Sequence, residues 1–157
     1  MLKLKKGEWF LFFLNLLVVI VFTMYYLGKQ NYEFLLYIGV ILFFFILILA
    51  TWNRTNFDYW ILIGLTLWAI MHLCGGGIKV GEGVLYSLVL IPIAELGGNA
   101  ILRFDQFVHF IGFGVTTLIA WHLIKPYLNN KTNYKVVYVL VELSEHYHYQ
   151  NMITYYR

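Results

Sequence analysis

Apolar residues along this chain fall in four long, unbroken runs, at about 9–27, 34–52, 59–73 and 104–124. Each is long enough to approach the ~20 residues needed to cross a hydrocarbon core of about 30 Å. Continuous rather than alternating hydrophobicity predicts helices, which satisfy their own backbone polar groups in lipid, instead of barrel strands. The predicted fold is therefore all-α, a polytopic integral membrane helical bundle of four transmembrane helices. A single transmembrane domain over 1–128 accounts for all four runs, with 129–157 left as a short cytoplasmic tail.

The runs differ in what interrupts them. The first contains Asn15 as its strongly polar side chain, and the second, with Leu42-Phe43-Phe44-Phe45-Ile46-Leu47, has an almost uniformly apolar surface. Both read as lipid-facing scaffold. The third and fourth carry Gly64, Thr66, Met71 and His72, then His109, Gly112, Gly114, Thr116 and Thr117. Small residues let membrane helices approach closely and hydroxyls bond across the contact. These two helices are expected to pack together and to hold any site.

A loop at 75–103 separates them and is assigned to the outside. It opens with Gly75-Gly76-Gly77, read as a tight turn with close helix approach. Residues 84–94 are apolar but too short to span, which suits a re-entrant or interfacial segment, kinked at Pro92 and ended by Gly97-Gly98-Asn99. After Pro126 the chain turns polar. A last apolar stretch at 134–143 is too short for a crossing and reads as a truncated fifth helix.

Composition agrees. Of 157 residues, 61% are hydrophobic and 12% charged, about half the charged fraction of soluble domains. The net charge of +3 follows from topology and carries no nucleic-acid signature. With the N-terminus in the cytoplasm, Lys3, Lys5, Lys6, Arg54, Lys125, Lys131 and Lys135 lie inside, and Lys29, Lys79 and Arg103 outside. That asymmetry fits the positive-inside rule with both termini cytoplasmic in a plasma (inner) membrane. Trp9, Trp52, Trp60 and Trp121 fall near helix ends, where aromatic rings favour the headgroup zone. The first run is too long for a signal peptide's apolar region of about 7–15 residues.

Candidate chemistry gathers near the outer ends of the third and fourth helices. Asp105 and His109, at i and i+4, share one helix face. Asp105 at the helix start gains from the macrodipole and serves either as an N-cap or as a proton acceptor that orients His109. His72 is expected at a similar depth, with Glu82 or Glu95 from the loop able to join. In the catalytic reading, His109, Asp105 and His72 act as base, orienting carboxylate and second imidazole. In the metal reading the same three, His72, His109 and Asp105, ligate a divalent ion. In the structural reading they only hold helices together, within a non-enzymatic scaffold, binding partner or small transporter subunit. Sequence alone leaves enzyme status and cofactor open. Cys74 is the single cysteine, so no intramolecular disulfide forms. The glycine run lacks the Gly-Lys-Ser/Thr ending of a phosphate loop. His122 reads as interfacial, and His146 and His148 as part of a solvated tail.

The segment Met71-His72-Leu73-Cys74-Gly75-Gly76, then Gly83-Val84-Leu85-Tyr86, then Arg103-Phe104-Asp105-Gln106-Phe107-Val108-His109 with Gly112-Phe113-Gly114, resembles the YjdF-type bacterial inner-membrane proteins. That resemblance covers about 59–127 and implies a small polytopic membrane protein without an established activity. It also implies a further helix ending in an acidic Asn-Glu element, where this chain has only 134–143 and Glu142. The Asp105/His109 pair is similar to the Asp-Lys-x-x-His element of VanZ-like membrane proteins, with Gln106 in place of the lysine. That likeness implies a cell-envelope role. The expected partners are the lipid bilayer and a lipid-linked or amphipathic small molecule, with no nucleic acid and protein partners unknown.

Overall fold

The computed structural model describes residues 4–91 and 102–128, with single positions at 135, 137 and 139. Four helices dominate it: α1 (Lys6–Gly28), α2 (Tyr32–Thr55), α3 (Tyr59–Gly77) and α4 (Phe104–Ile124). All four are long and apolar enough to cross a membrane. The chain forms two compact units, Met1–Gly112 and Phe113–Arg157, whose boundary falls inside α4.

Helix starts and stops follow local chemistry. The Lys5 amide donates to Glu8 Oε2 at 2.6 Å, half of a capping box, so the buried Glu8 carboxylate is spent on the first turn of α1. Asn31 caps α2 by accepting from the Phe34 amide at 3.3 Å. Asn56, with φ of 42°, ends α2 in the left-handed conformation that asparagine tolerates. The short connections at 29–31 and 56–58 hold α1, α2 and α3 beside one another.

In the first unit, α3 makes its broadest seam with α1 and a smaller one with α2, while α1 and α2 also pack together. The core joins Tyr26, Phe34, Ile38, Ile41, Ala69 and Leu73, with the Tyr26 and Phe34 rings stacked at 4.9 Å. The α1–α3 seam carries an interhelical hydrogen bond in which Asn15 Nδ2 donates to Thr66 Oγ1 at 2.7 Å and also to the Leu11 carbonyl at 2.8 Å. Expecting α1 to be lipid-facing scaffold was thus too simple. Its Phe10, Phe13, Leu17, Ile20 and Met24 do face outward, but Leu11, Asn15 and Tyr26 face α3 or the core.

The third helix also runs further than its hydrophobic run. Gly75-Gly76-Gly77 is not a turn but the last turn of α3, buried throughout. The physical reason is space. A Cβ on Gly75 would enter the Tyr86 ring, and one on Gly76 would enter the Phe34 ring. One on Gly77 would crowd the Tyr26 hydroxyl. The run is a set of sockets for three aromatic side chains, so the close approach was legible and the turn was not.

Beyond α3 the described part of the segment expected to be re-entrant or interfacial forms short strands and a 3-10 turn. β1 (Lys79–Val80) and β2 (Gly83–Val84) form a hairpin in register Lys79↔Val84 and Val80↔Gly83. Gly81, with φ of 59°, supplies the left-handed conformation a two-residue turn asks for. A single 3-10 turn (Leu85–Ser87) then leads to β3 (Val89–Ile91), paired antiparallel with β4 (Leu102–Arg103). The strands pair because the segment's backbone groups need partners outside a helix. Pro92, Glu95 and Gly97-Gly98-Asn99 lie outside the described residues, as do 141–143 of the expected fifth helix, His146 and His148.

In the second unit, α4 continues to Ile124. Thr117 Oγ1 bonds back to the Phe113 carbonyl at 3.0 Å, and a 3-10 turn at Lys125–Tyr127 incorporates Pro126.

A Gly76→Ala substitution is expected to destabilise the protein in detergent by about 1–3 kcal/mol, the usual cost of overpacking a filled core. Adding Phe34→Ala should return part of that loss, because it removes the ring the new methyl meets; thermal unfolding of the two single variants and the double variant measures the coupling. Asn15→Leu should cost about 0.6–2 kcal/mol by the same assay.

Candidate functional site

The site begins with the end of α3. His72 lies five residues before the C-terminus of that helix, half-buried, in a cage of rings. The Trp68 indole stacks on it at 5.3 Å and 20°, and Tyr37 of α2 meets it edge-on at 5.2 Å and 85°. Tyr86, from the 3-10 turn, tilts against it at 5.8 Å. Tyr86 reaches this position because Gly75 has no side chain to block the ring.

The Tyr86 hydroxyl makes two contacts with the same residue. It lies 2.7 Å from His72 Nδ1 and donates to the His72 carbonyl at 2.8 Å. Burial pushes the Tyr86 phenol above its usual range, and the negative charge of Asp105 adds to the effect. The phenol therefore keeps its proton and remains a donor across neutral pH.

Two further tyrosines treat α3 in the same way. Tyr26 Oη donates to the Leu73 carbonyl at 2.6 Å, and Tyr25 Oη to the Gly77 carbonyl at 2.7 Å. Carbonyls near a helix end that cannot reach water gain by such donors.

At the start of α4, Asp105 and His109 share one face, as the i, i+4 spacing predicts. His109 Nε2 lies 3.4 Å from Asp105 Oδ1, with the side chains 44% and 48% exposed respectively. The N-cap role belongs elsewhere. The Arg103 amide donates to Gln106 Oε1 at 2.8 Å, so Gln106 closes the first turn and leaves the Asp105 carboxylate facing His109. Gly112, one turn past Val108, lies against the Trp68 indole, and Phe104 lies 6.5 Å from Tyr86. Asp105 and His109 are both within electrostatic reach of His72.

The expected trio thus gathers at one end of the first unit, and Tyr86 joins it. Sequence reasoning missed Tyr86 because it assigned 84–94 to an apolar segment; a tyrosine soon after a glycine run was the available signal. Glu82 sits exposed at the hairpin turn. Among the described residues, no three His, Cys, Asp or Glu side chains converge as a metal-ligand set. The His72, Asp105 and His109 arrangement is an open, partly exposed surface. A separate groove of about 80 Å³ lies between α1, α2 and α3, lined by Glu8, Asn15, Trp52 and Thr66 among mainly apolar neighbours. Its lining excludes His72, Asp105 and His109, and Trp68 is shared between groove and cage.

Chemically, the cluster offers two imidazoles, a carboxylate and a phenol beside an apolar bundle. That set can accept and donate protons and can hold the polar head of an amphipathic molecule.

Residues 9–153 match the model of a family described as "Predicted membrane protein (DUF2238)". The match is consistent with the YjdF-type resemblance and gives no support to the VanZ-like one. No curated protein and no solved structure matches the chain.

Because the Asp105–His109 pair is half-exposed and lies on one helix, Asp105→Asn should change stability by less than about 1 kcal/mol. Thermal unfolding of the variant beside the parent checks this; a loss of several kcal/mol would assign the pair to holding the fold.

Proposed function

The chain belongs to the DUF2238 family of predicted membrane proteins, and from that premise we propose that it binds, and acts on, the headgroup of an amphipathic or lipid-linked molecule at the outer face of the plasma membrane. The site is His72, Asp105 and His109, assisted by Tyr86. The basic residues Lys5, Lys6 and Arg54 lie at or near the ends of α1 and α2 opposite the cluster, which supports a cytoplasmic N-terminus and an outward-facing site. In the active reading, Asp105 orients His109, and one of the two imidazoles takes a proton from the headgroup.

The observation that carries this reading is the exposure of the Asp105–His109 pair. Ionisable side chains in or near a membrane span are costly and by default suggest function. Groups that merely lock helices would pair across a contact. These two pair along one helix and leave nearly half of each side chain accessible. The reading in which these residues only hold helices together loses support from the same geometry.

Native mass spectrometry of protein released from mild detergent tests the proposal. The parent should carry a co-purified amphipathic molecule, and Asp105→Asn and His109→Ala at equal melting temperature should lose at least ten-fold of it. Equal retention in parent and variants would overturn the reading.

A further inference from the structure

One hydroxyl cannot satisfy both of its contacts on His72 as a donor to each, because a phenol carries one proton. The carbonyl of His72 can only accept, and it lies 2.8 Å from Tyr86 Oη, so the phenol proton belongs to that bond. The 2.7 Å contact between Tyr86 Oη and Nδ1 is then a hydrogen bond only if Nδ1 carries a hydrogen and donates it. A lone pair on Nδ1 would face a lone pair on the oxygen.

The opposite nitrogen is left without a proton in the neutral ring. Among the described residues Nε2 of His72 makes no hydrogen bond, and no buried side-chain nitrogen or oxygen lacks a partner. Nε2 is therefore accessible rather than sealed. The ring cannot swing away, since Trp68 stacks on one face and Tyr37 and Tyr86 flank it. Gly75 is what admits Tyr86 to this position.

We infer that Tyr86 is a positioning residue that holds His72 as its Nδ1–H tautomer, so that Nε2 presents a fixed lone pair to a hydrogen-bond donor on the ligand's headgroup. The inference rests on the proposed function for the site and names the ligand's class: an amphipathic molecule whose headgroup carries a hydroxyl or amine hydrogen. The unliganded imidazole prefers the opposite tautomer in water, so the tyrosine sets which end of the ring is basic. A molecule that offers only acceptor atoms finds a lone pair facing it at Nε2.

Nitrogen NMR of protein labelled at histidine, in lipid nanodiscs at neutral pH, tests both parts. The His72 signals are assigned by their disappearance in His72→Asn. In the parent, His72 should show a protonated Nδ1 and an unprotonated Nε2. Tyr86→Phe keeps the ring in its glycine socket and removes only the hydroxyl, and it should shift the population towards Nε2–H. A parent ring protonated at Nε2, or a tautomer unchanged in Tyr86→Phe, overturns the positioning role. Adding a monoacylglycerol should move the Nε2 signal, while a fatty-acid methyl ester of equal chain length should not. Equal responses to the two overturn the ligand class. A correct tautomer beside a failed co-purification test would sink the proposed function alone, so the two failures are distinguishable.

Discussion

The arrangement depends on tyrosine hydroxyls bonding to backbone carbonyls at the end of α3. Tyr25 and Tyr26 from α1 and Tyr86 from the following loop donate to Gly77, Leu73 and His72. The Gly77 carbonyl, at the very end of the helix, has no intrahelical amide to bond and is satisfied by Tyr25, while the Leu73 and His72 carbonyls lie within α3 and take a tyrosine as a second donor. A tyrosine brings an apolar ring and a donor at its tip, so one residue both fills space and closes the hydrogen-bond account. The rings can come so near only because the helix presents glycine where they land. Donor, ring and glycine combine twice, in Tyr26 against Gly77 and Tyr86 against Gly75, while Tyr25 supplies a donor alone and Phe34 a ring alone.

That device connects the scaffold to the site. Tyr86 is held by Gly75 and stacks loosely with Phe34 at 6.1 Å, while Phe34 stacks with Tyr26. The geometry around His72 is therefore carried by α1, α2 and the loop together rather than by α3 alone. In contrast, Asp105 and His109 are fixed chiefly by their own helix, with Gln106 securing its first turn. One half of the cluster is rigid and ringed, and the other is open and half-wet.

Much of this was legible in the sequence because it is local. Four runs of apolar residues give four helices, and i, i+4 spacing puts Asp105 beside His109 whatever surrounds them. The misses are contacts between distant residues. Asn15 looked like an isolated polar group until Thr66, 51 positions away, proved to be its partner. The glycine run was ambiguous for the same reason: glycine permits both a turn and a close approach, and only the positions of Tyr26, Phe34 and Tyr86 decide between them. The family match adds membership and a membrane setting, and the site's chemistry stands on its geometry.

The glycine end of α3 also bears on how the protein is assembled. Glycine costs about 1 kcal/mol relative to alanine in a helix in water, and three in succession make this the least self-sufficient end of a span. Its support comes partly from Tyr25, Tyr26 and Phe34, in segments synthesised before it, and partly from Tyr86, in the segment synthesised after it. The last turn of the third helix therefore has its full set of contacts only once the chain has been made as far as Tyr86.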